Sequence, residues 1–316
     1  MEQETEEQKA PEFPKKISYS GWMEARNHCQ WRWKLNSIDK LYHKVYGIYM
    51  DFGTALHETI ELCHSAKPVI TDIEIAVFFF KEKFNWLYNS NVDKYQDKEK
   101  ERLTRPETEK GFLRREQFLE AGERVLRRFD ECDELRTAQV LFNEYKLEEP
   151  ISRTDGLDIK FKGYIDMVIK TKSKRGETIL YICDFKTAGW GWPMEKKTDK
   201  ELHFQILLYK HFFCKKHGLD PKNVRTAFVL LLRAPRPVSR GSKELQCPIE
   251  FFPIAAGPVS VSRAVEELNR DITQLKRRFD SGTLIKNHKN CVDEWDERCP
   301  YLGTAHCDAP EPPPKT

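Results

Sequence analysis

Apolar positions in the first third of the chain recur at helical spacing. From Asp51 to Ser65 they fall at Leu56, Ile60 and Cys63, one stripe of a helix. From Asp72 to Tyr88 a more apolar helix carries Ile73, Ile75, Val77 and Phe78 to Phe80, and from Gly111 to Cys132 a long amphipathic one carries Phe112, Phe118, Leu119, Val125, Leu126 and Phe129. Ahead of these, Ser18 to Ser20 offer a helix start, and Gly21 to Lys40 keeps a mild helical period among Trp, Arg and Lys. Residues 90–110 are almost wholly charged and read as loop or frayed helix. The period then changes. Ala138–Leu147, Leu157–Ile169 and Thr178–Phe185 alternate with β-branched and aromatic residues, separated by turn material at Arg153–Gly156 and Lys172–Gly176. Lys200 to His217 returns to helix, stopped by Gly218 and Pro221; Val224–Leu231 and Leu245–Phe252 predict further strands, and Val259–Phe279 a closing helix. The middle of the chain therefore runs α-β-β-β-α-β, an α/β pattern.

Composition changes this picture little. With 53 Lys+Arg against 50 Asp+Glu among 316 residues the net charge is +3, so nucleic-acid contact has to come from local patches. Unbroken apolar runs such as Ala227–Leu232 fall far short of the roughly 20 residues that span a bilayer. The acidic, proline-bearing start is no secretory signal, which argues for a soluble cytoplasmic protein without membrane contact. In that reducing setting the nine cysteines are core fillers, metal ligands or reactive thiols.

The sharpest chemistry lies on two neighbouring strands. FKGYIDMVIK carries Asp166, and ILYICDFKTA carries Asp184 and Lys186, which share a strand face. A turn centred near Lys174 brings Asp166 within a residue or two of Asp184 across an antiparallel pair. Buried charges cost several kcal/mol each unless paired or bound to metal. Two adjacent carboxylates suit a hard cation such as Mg²⁺. The lysine would orient or deprotonate an attacking water, or steady developing negative charge. An ordinary strand-end ion pair would read the same way. Glu144 on the preceding strand adds a third acid; His57, in GTALHETIE, and Gln205 with Tyr209, four apart on the next helix, would alone be ordinary helix residues.

Taken in order, Gly53–His57 (GxxxH), Glu144, Gly163–Asp166 (GYID), Asp184–Thr187 (DFKT) and Gln205–Tyr209 (QxxxY) resemble the PD-(D/E)XK nuclease superfamily, and within it the RecB/AddB/exonuclease V-like branch. The likeness covers about residues 17–310 and implies a restriction-endonuclease-like core with a mixed central sheet. It implies that His57, Asp166, Asp184 and the Phe185 carbonyl hold Mg²⁺ or Mn²⁺, that Lys186 serves the attacking water, and that Glu144, Gln205 and Tyr209 support the site. The proline that names the superfamily is replaced by Ile165. On this reading residues 1–16 are a disordered lead-in, 17–110 a helical cap with the His motif, 111–255 the nuclease core, 256–308 a closing helix with a cysteine cluster, and 309–316 a disordered tail.

Cys291, Cys299 and Cys307 form C-x7-C-x7-C, and Cys29 stands alone near the start. By themselves the three could be chance or an incomplete zinc set, with His306 able to complete it. The resemblance supplies another reading, in which one cysteine ahead of the core and three after it hold a [4Fe–4S] cluster that ties the chain ends and helps bind DNA. The wide spacing keeps zinc as the alternative. Cys63, Cys132, Cys183, Cys214 and Cys247 lie in apolar surroundings and read as small core residues.

Three patches mix positive charge with aromatic rings, the combination that suits single strands. They are Trp31-Arg32-Trp33-Lys34; Trp190, Trp192, Lys196 and Lys197 after the candidate catalytic lysine; and Arg233, Arg236, Arg240 and Lys243. Each would equally be a solvated face over packed tryptophans. The expectation is a metal-dependent exonuclease acting on single-stranded DNA or DNA ends in recombination, repair or phage DNA processing, with a helicase or recombination protein as partner. The rival is a non-catalytic DNA-binding module of a helicase–nuclease or integration complex. Retained, mutually repelling carboxylates argue against the rival, because a scaffold has no use for them. A zinc-stapled nuclease directed at RNA is a third reading.

Overall fold

The structure, a computed structural model, describes residues 11–42, 44–106, 113–151, 158–172, 176–287, 289, 291–292 and 298–308. The acidic start up to residue 10, the turn at 153–156 and the tail at 309–316 lie outside the described residues. By compactness the chain divides into two units, each discontinuous in sequence: residues 1–44, 148–163 and 265–316 form one, and 45–147 with 164–264 the other.

The larger unit contains the helices α3 (Ile48–Ser65), α4 (Ile73–Asn91), α5 (Asp97–Thr104) and α6 (Arg115–Arg127), and the short α7 (Asp133–Arg136). Most of β2 (Gln139–Pro150) and of β3 (Lys160–Lys172) follows, then β4 (Thr178–Ala188), the short α8 (Met194–Lys197), α9 (Lys200–His217), β5 (Val224–Leu232) and β6 (Ile249–Ile254). The sheet is mixed: β3 pairs antiparallel with β4, β4 parallel with β5, and β5 antiparallel with β6, while β2 also pairs with β3. A parallel pair needs a crossover, and α9 supplies it between β4 and β5. Local chemistry sets the helix limits. The Asp72 carboxylate accepts from Glu74 N at 2.9 Å to start α4, Asp199 does the same for Glu201 N at 2.8 Å to start α9, and Gly218 at φ 62° ends α9.

The mixed sheet is the one the family resemblance implies, and its α/β order the one the alternation predicts. Strand β6 begins at Ile249 rather than Leu245, because Pro248 has no N–H to give a ladder and contributes only its carbonyl, to Leu232 N. The odd-numbered face of the central strands (Met167, Ile169, Cys183, Phe185, Val229, Leu231) joins Phe52, Leu56, Phe80, Phe84 and Phe118 of α3, α4 and α6 in one apolar core.

The smaller unit holds β1 (Lys16–Ser18), α1 (Tyr19–Met23), a π-helical turn at Glu24–His28, α2 (Gln30–Ser37) and most of α10 (Pro258–Asp280). Here β1 pairs in parallel with residues 160–162 at the start of β3. Ile17, Trp22, Phe161, Leu268 and Ile272 are buried in it, and its apolar clusters include Leu35 with Tyr301 and Cys307, and Ala25 with Trp33 and Leu275. Among the described residues no helix is long and apolar enough to cross a membrane.

Candidate active site

The β3–β4 ladder ends at Met167 opposite Cys183, although both strands continue, β3 back to Lys160 and β4 on to Ala188. Asp166, Asp184 and Lys186 stand just past that last pair. The Asp166 carboxylate accepts the Phe185 N–H at 2.5 Å, bridging the strands where backbone pairing has stopped. Asp184 is 2% exposed and lies 2.6 Å from Lys186 Nζ. Its buried Oδ2 has that ammonium as its partner. Lys186 Nζ donates to Gln205 Oε1 at 3.0 Å, and Gln205 Nε2 donates to the Tyr209 hydroxyl at 3.1 Å. The QxxxY spacing is thereby explained: one turn of α9 holds a relay that aims the ammonium.

The electrostatics are those of a site short of positive charge. Burial, then the neighbouring Asp184, pushes the Asp166 carboxyl well above the usual carboxylate range. Asp184 is raised by burial too, against the pull of Lys186. The Glu144 carboxyl is raised by burial, then by Glu61, Asp184 and Glu58. Glu144 adopts φ 46°, a left-handed conformation unusual for a non-glycine residue within a strand, which locally re-aims its side chain. The His57 ring lies 5.7 Å from that of Phe185, and burial followed by the Lys186 charge pushes its pKa down to about 4, holding it neutral. Gly53 permits this approach, since a Cβ there would stand 3.3 Å from Thr187 Oγ1 on β4.

All of His57, Glu144, Asp166, Asp184, Phe185, Lys186, Gln205 and Tyr209 thus belong to one neighbourhood of the larger unit. Glu58 and Glu61 were not anticipated. Their signal was present in HETIE, where Glu61 follows His57 by one helical turn. Among the described residues no group of three or more His, Cys, Asp or Glu forms a preformed metal cage. The donors that converge, two mutually repelling carboxylates, nevertheless fit Mg²⁺, which is commonly held by one or two carboxylates and keeps several waters.

The candidate nucleic-acid residues divide. Trp190 is 64% exposed. Trp192 is buried, its ring 5.1 Å from that of Phe228 and covered by the Lys196 ammonium at 4.9 Å, so it packs the loop instead of presenting a stacking face. Lys197 pairs with Glu250. Arg233 stands over the rings of Tyr49 (4.5 Å) and Phe118 (4.9 Å), and Arg236 is exposed. In the smaller unit Trp33 is buried, Arg32 pairs with Glu24 at 2.9 Å, and Trp31 donates its indole N–H to His306 O at 2.8 Å beneath the ammonium groups of Lys34 and Lys286.

The four outlying cysteines are all free thiols in the smaller unit. Burial, then Cys299, Cys29 and Cys307, push the Cys291 thiol up to about 11, so the other three sulfurs are each within electrostatic reach of Cys291. Cys29 Sγ accepts from the backbone N–H of Arg32 and of Asn287, both at 3.5 Å. Of the remaining cysteines Cys63, Cys132, Cys183 and Cys214 are buried, and Cys247 is half-buried at the edge of the core.

A profile of the PD-(D/E)XK nuclease superfamily matches residues 17–304. No curated protein matches the chain. Among solved structures it is similar to a provisionally assigned exonuclease from Eubacterium rectale, with 10% identity and a TM-score of 0.47 over 86% of this chain and 83% of that one.

Proposed function

Because the chain belongs to the PD-(D/E)XK nuclease superfamily, we propose that it is a Mg²⁺- or Mn²⁺-dependent deoxyribonuclease acting as an exonuclease on single strands or DNA ends. The observation that carries this reading is the pair of Asp166 and buried Asp184, which raise each other's burden of negative charge beside a single ammonium, Lys186. Asp166, Asp184, His57 and the Phe185 carbonyl would hold the cation, whose charge would polarise the phosphate and offset the carboxylate repulsion. An ammonium has three protons. One Lys186 proton is directed at Asp184 and one at Gln205, leaving the third for the attacking water or for charge building on the phosphate. Tyr209 fixes the Gln205 amide so that its oxygen, and not its NH₂, faces the ammonium. Glu144, re-aimed by its left-handed backbone, adds the negative field that favours a second proton or cation near the pair.

The cysteines support placement in the RecB/AddB-like branch, with Cys29, Cys291, Cys299 and Cys307 as ligands of a [4Fe–4S] cluster and zinc as the alternative. The field of Cys29, Cys299 and Cys307 at Cys291, and N–H groups aimed at the Cys29 sulfur, would suit thiolates around a cluster, although the four described cysteines do not form a preformed metal cage. The biological setting proposed is recombination, repair or phage DNA processing alongside a helicase. The test is cleavage of end-labelled single- and double-stranded DNA with Mg²⁺ or Mn²⁺. Asp184→Ala and Lys186→Ala are each expected to lose about 10²–10⁴-fold in rate. Equal activity in all three proteins would remove the assigned site, and the product ladder gives polarity.

A further inference from the structure

Outside the residues already assigned, one side chain lies at the mouth of the site without a structural task. The even-numbered side chains of β3 run from Val168, fully buried, through Asp166, half-buried, to Tyr164, which is 53% exposed. The odd-numbered Ile165 and Met167 between them are buried, so the alternation holds and Tyr164 shares the face of Asp166. Strand β3 is an inner strand, paired with both β2 and β4. A large ring on an inner strand is ordinarily covered. This one stands open where the β3–β4 ladder has ended, two residues from a catalytic carboxylate.

Its backbone is not loose. The Tyr209 hydroxyl that anchors Gln205 also hydrogen-bonds the backbone of Tyr164, so the relay that aims Lys186 fixes the base of the ring as well. Resting on the nuclease reading above, we propose that Tyr164 is a positioning residue whose ring stacks on the nucleobase beside the phosphate to be cut. An unpaired base would then be part of what the site binds. A base inside a duplex has both faces occupied by its neighbours, so such a platform selects single strands. Trp190, exposed beyond the end of β4, offers a ring from the other strand of the pair.

The test is binding without divalent metal, read by fluorescence anisotropy on a single-stranded oligonucleotide, on the same strand with its terminal nucleotides abasic, and on the duplex. Tyr164→Ala is expected to weaken the intact strand about tenfold while leaving the abasic strand and the duplex within about twofold, because one stacked base is lost once only. Tyr164→Phe should keep wild-type affinity. Tyr164→Leu, which keeps apolar bulk without a ring face, should behave as the alanine variant does. Equal losses on intact and abasic strands, or no loss on either, would overturn the proposal. Asp184→Ala, assayed for cleavage in parallel, keeps the two ideas apart: persistent cutting would sink the catalytic assignment, whereas the stacking result is read with no cleavage at all.

Discussion

Around Asp184 the chain is held by strands whose neighbours are fixed residue by residue, and beneath them lies a deep aromatic core in which Phe52 meets Phe80, Phe84 and Phe118 edge-on. Around Cys291 it is held by loops, by packing such as that of Leu35, Tyr301 and Cys307, and by polar ties such as Tyr301 to Asn36 and Leu41, and Arg26 to Glu267 and Asp271. The larger unit can tolerate a pair of buried, repelling carboxylates because its apolar burial offsets the cost. The smaller unit buries Trp22, Phe161, Leu268 and Ile272, and a metal staple there would add to that core. The difference says which groups are spent on chemistry and which on holding the chain together.

The largest expected effect tests the staple. Cys291→Ser together with Cys307→Ser replaces two buried thiols and removes two proposed cluster ligands. The brown colour of anaerobically purified protein should disappear, and limited proteolysis should open residues 11–42 and 265–287 while the larger unit resists. Structural metal sites are worth roughly 10 kcal/mol of folding free energy, so the loss should be plain. Unchanged proteolysis would show that the smaller unit stands without a staple. Colourless wild-type protein with stoichiometric zinc would replace iron in the assignment.

The converse experiment strikes the larger unit. A Cβ at Gly122 of α6 would lie 2.0 Å from the Phe80 ring, which is fully buried and stacked on Phe84 at 6.0 Å. Gly122→Ala should therefore destabilise by about 1–3 kcal/mol, because a boxed-in ring has nowhere to turn. Urea unfolding followed by a probe in the larger unit checks this, with the protease resistance of residues 11–42 and 265–287 retained at low denaturant. A stability unchanged within error would mean that the aromatic core is looser than its packing implies.

Much of the site in the larger unit was legible because strand chemistry is periodic. Alternation placed Asp184 with Lys186, the turn length set Asp166 against them, and helical spacing paired Gln205 with Tyr209. What stayed hidden depends on conformation without a period. The left-handed backbone at Glu144 carries no residue signal, since glutamate seldom adopts it. Trp190 and Trp192 look alike in sequence, yet one is open and the other packed on Phe228, a distinction made by the folding of a loop. In the smaller unit only the outlying positions of four cysteines pointed to a cluster, because irregular segments offer no pattern from which proximity can be read.

The smallest effect tests how finely the strand site is tuned. Tyr209 is 4% exposed, so Tyr209→Phe keeps the ring packing and removes only the hydroxyl. That hydroxyl is the acceptor for Gln205 Nε2, and without it nothing in the relay prevents the amide from turning its NH₂ toward the Lys186 ammonium. One such hydrogen bond is worth about 0.5–1.5 kcal/mol, so kcat should fall about 2- to 10-fold with little change in Tm. Gln205→Ala removes the same support directly, and the two substitutions act on one chain of contacts. The double variant should consequently be no slower than Gln205→Ala alone. Additive losses would mean that Tyr209 acts on the site by a separate route, and its hydrogen bond to the Tyr164 backbone would then be the contact to pursue.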